Sequence, residues 1–199
     1  MSATVYLEGG GDSKELRARC REGFSKLLEN CGFKGRLPRL TACGGRRAVF
    51  DRFTVDHLSK GATDYVAMIV DSEDPLASLD ATWEHLRNRD KWEKPAGVVD
   101  EQVLLMTTCM ETWIVADRKA LASHYGAELQ AAALPPLAGL EQRPRHDVQD
   151  KLARATRNCT NAYEKGKRSF AVLAVLSPDA LQQYLPSFAR ARRILDEKL

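Results

Sequence analysis

The clearest pattern along the chain is an apolar run that stops abruptly in acid. Val66-Ala67-Met68-Ile69-Val70 is followed by Asp71, Ser72, Glu73 and Asp74, and then by Pro75. Five consecutive apolar residues, several of them β-branched, running into a proline-bearing loop predict a buried strand of a parallel sheet. A shorter run at the N-terminus behaves in the same way. Thr4-Val5-Tyr6-Leu7 ends in Glu8-Gly9-Gly10-Gly11-Asp12-Ser13, a strand whose glycines permit a tight turn.

Between these two strands the hydrophobic period changes from two to about 3.6. Leu16, Cys20, Phe24, Leu27, Leu28 and Cys31 recur at spacings of three and four, which predicts a helix over 14–30 with Ser13 or Asp12 as its cap and Gly32 closing it. A second strand is expected over 39–43, ending at Gly44-Gly45. A second helix starts near Arg46 with Val49, Phe50, Phe53 and Leu58 on its buried side, stopped by Gly61. The strand carrying the acidic stop then covers 64–70. Strands alternating with helices through short turns predict parallel strands joined by right-handed crossovers. Further on, the pattern predicts a helix over 81–89, a fourth strand over 102–109, and a helix from about Val115. From Leu121 the character is helical, with an amphipathic helix over 145–158, a final basic helix over 188–199 and a linker at Leu134-Pro135-Pro136-Leu137. The expected architecture is α/β: a Rossmann-like parallel sheet of about four strands flanked by helices, with a mainly helical C-terminal part. The division is a core over 1–125 and a helical extension over 126–199, packed as one compact unit.

Composition narrows the picture only a little. The chain has 199 residues, 44% hydrophobic and 29% charged, ordinary values for a globular domain. No apolar stretch approaches the roughly 20 residues a membrane helix needs, and the N-terminus lacks the pattern of a secretory signal. A cytoplasmic protein with no membrane partner is expected. The net charge of +3 permits a nucleic-acid partner without demanding one. Basic residues crowd 143–168 and 190–193, as solvated helical faces or as a binding surface. Five scattered cysteines form no CxxC pair, so they read as reduced thiols and not as a zinc site. Trp83 and Trp92 read as packing on the sheet or as a lid. The glycines of GGGDSK lack the spacing of a phosphate-binding P-loop.

Candidate chemistry therefore lies in the acids. Carboxylates at the C-terminal ends of strands occupy the edge where open α/β sheets bind ligands. In an extended chain Asp71 and Glu73 project to one side, about 7 Å apart at the backbone. Acids this close repel one another, and a bound hard cation relieves that repulsion. Both Glu8 and Asp71 end parallel strands, so they lie at the same end of the sheet and converge if those strands are neighbours. Glu111 and Asp117 are further acids near the end of the fourth strand. The plain alternative for each is a turn, a cap or a structural ion pair.

Glu8 followed by glycines, with Asp71-x-Glu73 on the third strand, resembles the Toprim pattern of a glutamate after strand one and an acidic DxD after strand three. More narrowly, VYLEGGGDS, ACGGR, VDSEDP, CMETW and the YEKG segment are similar to a small bacterial Toprim-like family of unknown function. Its members resemble the nuclease branch and often accompany ATPases in phage-defence gene clusters. The resemblance covers nearly the whole chain. It implies hydrolysis of phosphodiesters in DNA or RNA with Mg²⁺ or Mn²⁺, an ATPase partner protein, and room for a homo-oligomer. It implies that Asp71 and Glu73, or Asp74 in its place, hold one or two ions, and that Glu8 binds a second ion or acts as general base. It also implies a lysine that neutralises developing charge, with Lys165 and Lys167 as candidates and Glu111 as a more distant metal residue. The sequence departs from the pattern at the second acid of DxD, which is Glu73 here with Asp74 beside it. Two other classes remain: a regulatory or binding subunit with a weakened site, and another Mg²⁺-dependent phosphotransfer enzyme.

Overall fold

The computed structural model describes residues 2–59, 64–166 and 168–199. The elements run β1 (Ala3–Glu8), α1 (Lys14–Leu28), β2 (Arg39–Gly44), α2 (Arg46–Ser59), β3 (Tyr65–Asp71), α3 (Thr82–Asp90), β4 (Val103–Met106), α4 (Met110–Ala116), α5 (Arg118–Tyr125), α6 (Arg145–Thr156), α7 (Ser169–Leu173), α8 (Pro178–Tyr184) and α9 (Pro186–Lys198). Among the described residues the four strands form one sheet in the order β2-β1-β3-β4, and every strand pair is parallel. This is the expected α/β fold, with a helical C-terminal part.

Strand alternation sorts the apolar residues onto the two faces of the sheet. Val5, Leu7, Ala67, Ile69, Leu104 and Met106 belong to one core, with α1, α4 and the C-terminal helices as far as Leu195. Val66, Met68, Val70, Val103 and Leu105 belong to the other, under α2 and α3. Because β3 is covered on both faces, it reads as a continuous apolar run and not as an alternating one. Trp83 and Trp92 are buried in the second core, and Phe50 stacks on Trp92 at 4.5 Å; they pack and do not form a lid. All five cysteines are buried free thiols.

Several predicted boundaries move, each for a local reason. The regular part of α1 ends at Leu28, and the chain then widens through Glu29–Phe33, where Gly32 takes φ 94°. In α2, Val49 and Phe53 are fully buried, but Leu58 is 64% exposed. Five residues beyond Phe53, Leu58 is turned about 140° away from the buried stripe. Gly61 lies outside the described residues. β4 stops at Met106, not at 109, and α4 begins at Met110, not near Val115. The cause is tertiary: the Met110 N–H is capped by the Asp71 Oδ1 at 2.9 Å. The basic C-terminal helix is not simply a solvated face. Arg190 is 8% exposed at its side chain and donates to the carbonyls of Val103 at 3.1 Å and Asp100 at 3.0 Å, covering the β4 edge of the sheet.

Candidate functional site

The site is built by the turns at the carboxyl ends of the strands. After β1 and β2 the two glycine turns clasp each other: Gly9 N–H donates to Gly44 O at 2.9 Å and Gly44 N–H to Gly9 O at 3.0 Å. Gly44 has φ +85°, and a Cβ there would lie 2.4 Å from the Gly11 carbonyl oxygen. A Cβ on Gly10, at φ +84°, would lie 2.7 Å from Arg17 Cα. Only glycine fits this close approach of two turns, which sets the floor of a cavity of about 360 Å³.

Because β1 pairs with β3, with Leu7 opposite Ile69, Glu8 emerges beside the end of β3. The Asp71 N–H donates to Glu8 Oε2 at 3.1 Å. Glu73 joins them by a turn. It takes φ +70°, a conformation costing a non-glycine residue about 1 kcal/mol. The turn is held by Ser72 N–H to Met106 O at 2.9 Å and Glu73 N–H to Thr108 O at 2.7 Å. Further bonds join Ser72 Oγ–H to Asp74 O at 2.7 Å and His85 Nε2 to Ser72 O at 2.8 Å. Glu73 thus reaches the site because the chain leaves the extended conformation, not because it continues it. One carboxylate oxygen from each of Glu8, Asp71 and Glu73 lies within 4.8 Å of the others.

The neighbours of these acids divide into donors and like charges. Asp71 Oδ1 accepts from Met110 N–H. Burial, together with the negative charges of Glu8 and Glu111, nonetheless pushes the Asp71 carboxyl well above its ordinary range, against the opposing pull of Lys165 and the Met110 N–H. Arg46 donates to Glu8 Oε2 at 3.3 Å and to the Asp71 carbonyl. It is itself held by both oxygens of Asp90, at 2.9 and 2.7 Å. Glu73 Oε2 faces Arg89 at 3.3 Å and contacts Arg145. Asp74 turns outward: its side chain is 68% exposed and pairs with Arg89 at 3.3 Å. Of the two acids left open at the second DxD position, the cluster therefore contains Glu73.

Glu111 and Lys165 line the same cavity as the three acids, with Gly9, Gly10 and Gly11. Glu111 is 1% exposed. Its oxygens are occupied by the Tyr163 hydroxyl, which donates to Oε1, and by Gln149 Nε2 at 3.2 Å from Oε2. Burial and the Glu111 charge raise the Tyr163 hydroxyl far above its usual range, so it stays a donor. Lys167 lies outside the described residues. A larger hollow of about 510 Å³, lined by Tyr6, Arg39, Thr41, Arg52 and Asp56 among others, lies elsewhere and holds none of these groups. Sequence reasoning missed Arg46, Asp90, Arg89 and Arg145 as neighbours of the acids. For Arg46 a signal existed, because it follows the glycine pair at the end of a parallel strand.

The donor set fits a hard cation. All three groups are carboxylates with an oxygen each within 4.8 Å of the others, and ligands at about 2.1 Å from Mg²⁺ stand up to about 4.2 Å apart. Asp71 and Glu8 repel one another as they stand, and a cation removes that cost. The molecule is thus an α/β protein with an acidic cleft at the carboxyl edge of a parallel sheet. The chain belongs to the family described as "Domain of unknown function (DUF4276)", whose model matches residues 7–195. Comparison with curated proteins and with solved structures returned no match.

Proposed function

We propose that this cleft is a divalent-cation site for phosphodiester hydrolysis, a Toprim-type nuclease acting on DNA or RNA. The observation that supports it is the convergence of Glu8, Asp71 and Glu73, drawn from two neighbouring strand ends 63 residues apart in sequence. Asp71 Oδ2 and one oxygen each of Glu8 and Glu73 would hold Mg²⁺ or Mn²⁺. When bound, such an ion polarises the phosphate and activates a water. Glu8 keeps Oε2 on the Asp71 N–H and on Arg46, so Oε1 is the oxygen it offers, either as ligand of the ion or as base for the attacking water. Lys165, which lines the same cavity as the acids, stabilises charge developing on the phosphate. Glu111 acts through Asp71, as a fixed negative charge kept in place by Tyr163 and Gln149. A role beside an ATPase in defence against phage rests on the sequence resemblance alone.

One observation favours a second reading, a regulatory or binding subunit. Arginines already neutralise two of the three acids, Arg46 at Glu8 and Arg89 with Arg145 at Glu73. The two readings part in a cleavage assay. The purified chain with Mn²⁺ or Mg²⁺, alone or with an ATPase partner, is expected to degrade nucleic acid, and the Glu8→Ala, Asp71→Ala double variant is expected not to. Cleavage that survives the double substitution removes the assigned centre. Titration calorimetry without any heat of Mn²⁺ binding favours the regulatory subunit.

A further inference from the structure

Two guanidinium groups share one carboxylate oxygen at the rim of the cleft. Arg145, the first residue of α6, and Arg89, near the end of α3, both meet Glu73 Oε2. Arg89 also faces Asp74 Oδ2 at 3.3 Å and Asp90 Oδ1 at 2.6 Å. Both arginines are partly open to solvent, at 29% and 32% of their side chains, while Glu73 is only 11% exposed. Arg89 thus meets three carboxylates, but Arg145 meets Glu73 through one of its five donors, which leaves donors for a further oxyanion. A phosphate group presents several oxyanion positions and matches that fork geometry better than a shared carboxylate oxygen does.

Resting on the cation-site reading above, we infer that Arg89 and Arg145 form a clamp for the phosphate group of the substrate, and that Glu73 is its internal stand-in. With no phosphate present, the arginines stay on Glu73 and weaken it as a cation ligand. When a phosphate takes the arginines, Glu73 is released to the cation. Phosphate and cation then bind with positive coupling, which linkage makes reciprocal. The arrangement explains why an acid of the cluster is neutralised from outside by residues of two different helices.

The distinguishing result is a pair of opposite changes in one variant. Arg145→Gln is expected to bind Mn²⁺ alone about fivefold more tightly or better, read by titration calorimetry, because Glu73 is released. The same variant in EDTA is expected to bind a short fluorescein-labelled single-stranded oligonucleotide more weakly. The log–log salt slope of its binding anisotropy is expected to fall by about one. Arg89→Gln repeats the test from the other helix, and far-UV circular dichroism checks that both variants fold. Oligonucleotide affinity and salt slope unchanged in both variants overturn the clamp. Mn²⁺ binding that Asp71→Ala abolishes but Arg145→Gln leaves unchanged or weakens overturns the inference and spares the cation site. No Mn²⁺ binding by the wild type removes the site and the coupling together. Competition by a mononucleotide tells the source of the phosphate: displacement assigns the clamp to small phosphoesters, and no displacement assigns it to the polymer.

Discussion

Two regions of this molecule bury carboxylates, and they do so in opposite ways. In the helical C-terminal half each buried acid is matched to its own donors. Asp117 caps α5 through Oδ1 to Ala120 N–H at 2.9 Å, and it accepts from Ser177 N–H at 2.7 Å at the start of α8. Glu141 accepts from the N–H of Ser187 at 3.0 Å and from its hydroxyl, at the start of α9. At the carboxyl edge of the sheet, Glu8, Asp71 and Glu73 instead face one another. A buried acid surrounded by N–H groups is a helix cap, whose field favours its charge. Acids that face each other cost stability as they stand, and a fold retains that cost at a site meant for something else.

The largest effect that tests this contrast comes from Asp71→Asn. The substitution keeps an acceptor for the Met110 N–H and removes the like charge. Under the proposed function, cleavage should fall by about 10³-fold or more. Stability should move the other way. The folded Asp71 carboxyl is raised above its unfolded value, so it contributes stability only while protonated. That contribution is lost as pH rises from the unfolded value through the folded one, so at pH 7 the acid costs the folded state more than a neutral amide does. The variant should therefore melt a few degrees higher than wild type at pH 7, about 2–4 °C for each kcal/mol. Added Mn²⁺ should raise the wild-type midpoint and leave the variant's unchanged. A variant that melts lower at pH 7 breaks the contrast.

Asp117→Ala comes next and has the opposite signature. Removing two backbone caps at once should cost about 2–4 kcal/mol in urea unfolding, with no change in Mn²⁺ binding. A loss below about 0.5 kcal/mol would show that this acid is not structural in the sense argued.

The smallest effect sharpens the comparison within the helical half. Burial raises the Glu141 carboxyl to about 6 despite its bonds to Ser187. Because the folded state holds the proton more tightly, the stability from Glu141 is complete below its unfolded range and declines as pH rises through about 6. Stability of wild type relative to Glu141→Gln should therefore drop by about 2 kcal/mol between pH 4 and 7. A flat difference across that window would mean the Ser187 donors fully offset the burial.

Much of the fold was legible because it depends on local periodicity. The 3.6-residue spacing of Cys20, Phe24 and Leu27, and the apolar run of β3, specify elements wherever they stand in space. The strand-end positions of Glu8 and Asp71 were legible for the same reason. Glu73 was legible as an acid but not in its path, since alternation assumes an extended chain and the turn at Ser72 is imposed by β4 and by His85. The start of α4 was missed because its cap, Asp71, lies on another strand. Leu58 was misplaced because its angle on α2 departs from the stripe set by Val49 and Phe53.

Order and spacing in the sequence alone determine that parallel strands alternate with helices and that acids stand at two strand ends. Those are nearest-neighbour properties of the chain, set by side-chain period and turn chemistry. Only tertiary structure decided that β1 and β3 are adjacent, that Glu73 and not Asp74 turns inward, and that arginines from α2, α3 and α6 meet the acids. Each of these depends on contacts between residues far apart in sequence, where long side chains choose partners by reach and charge after the sheet has formed.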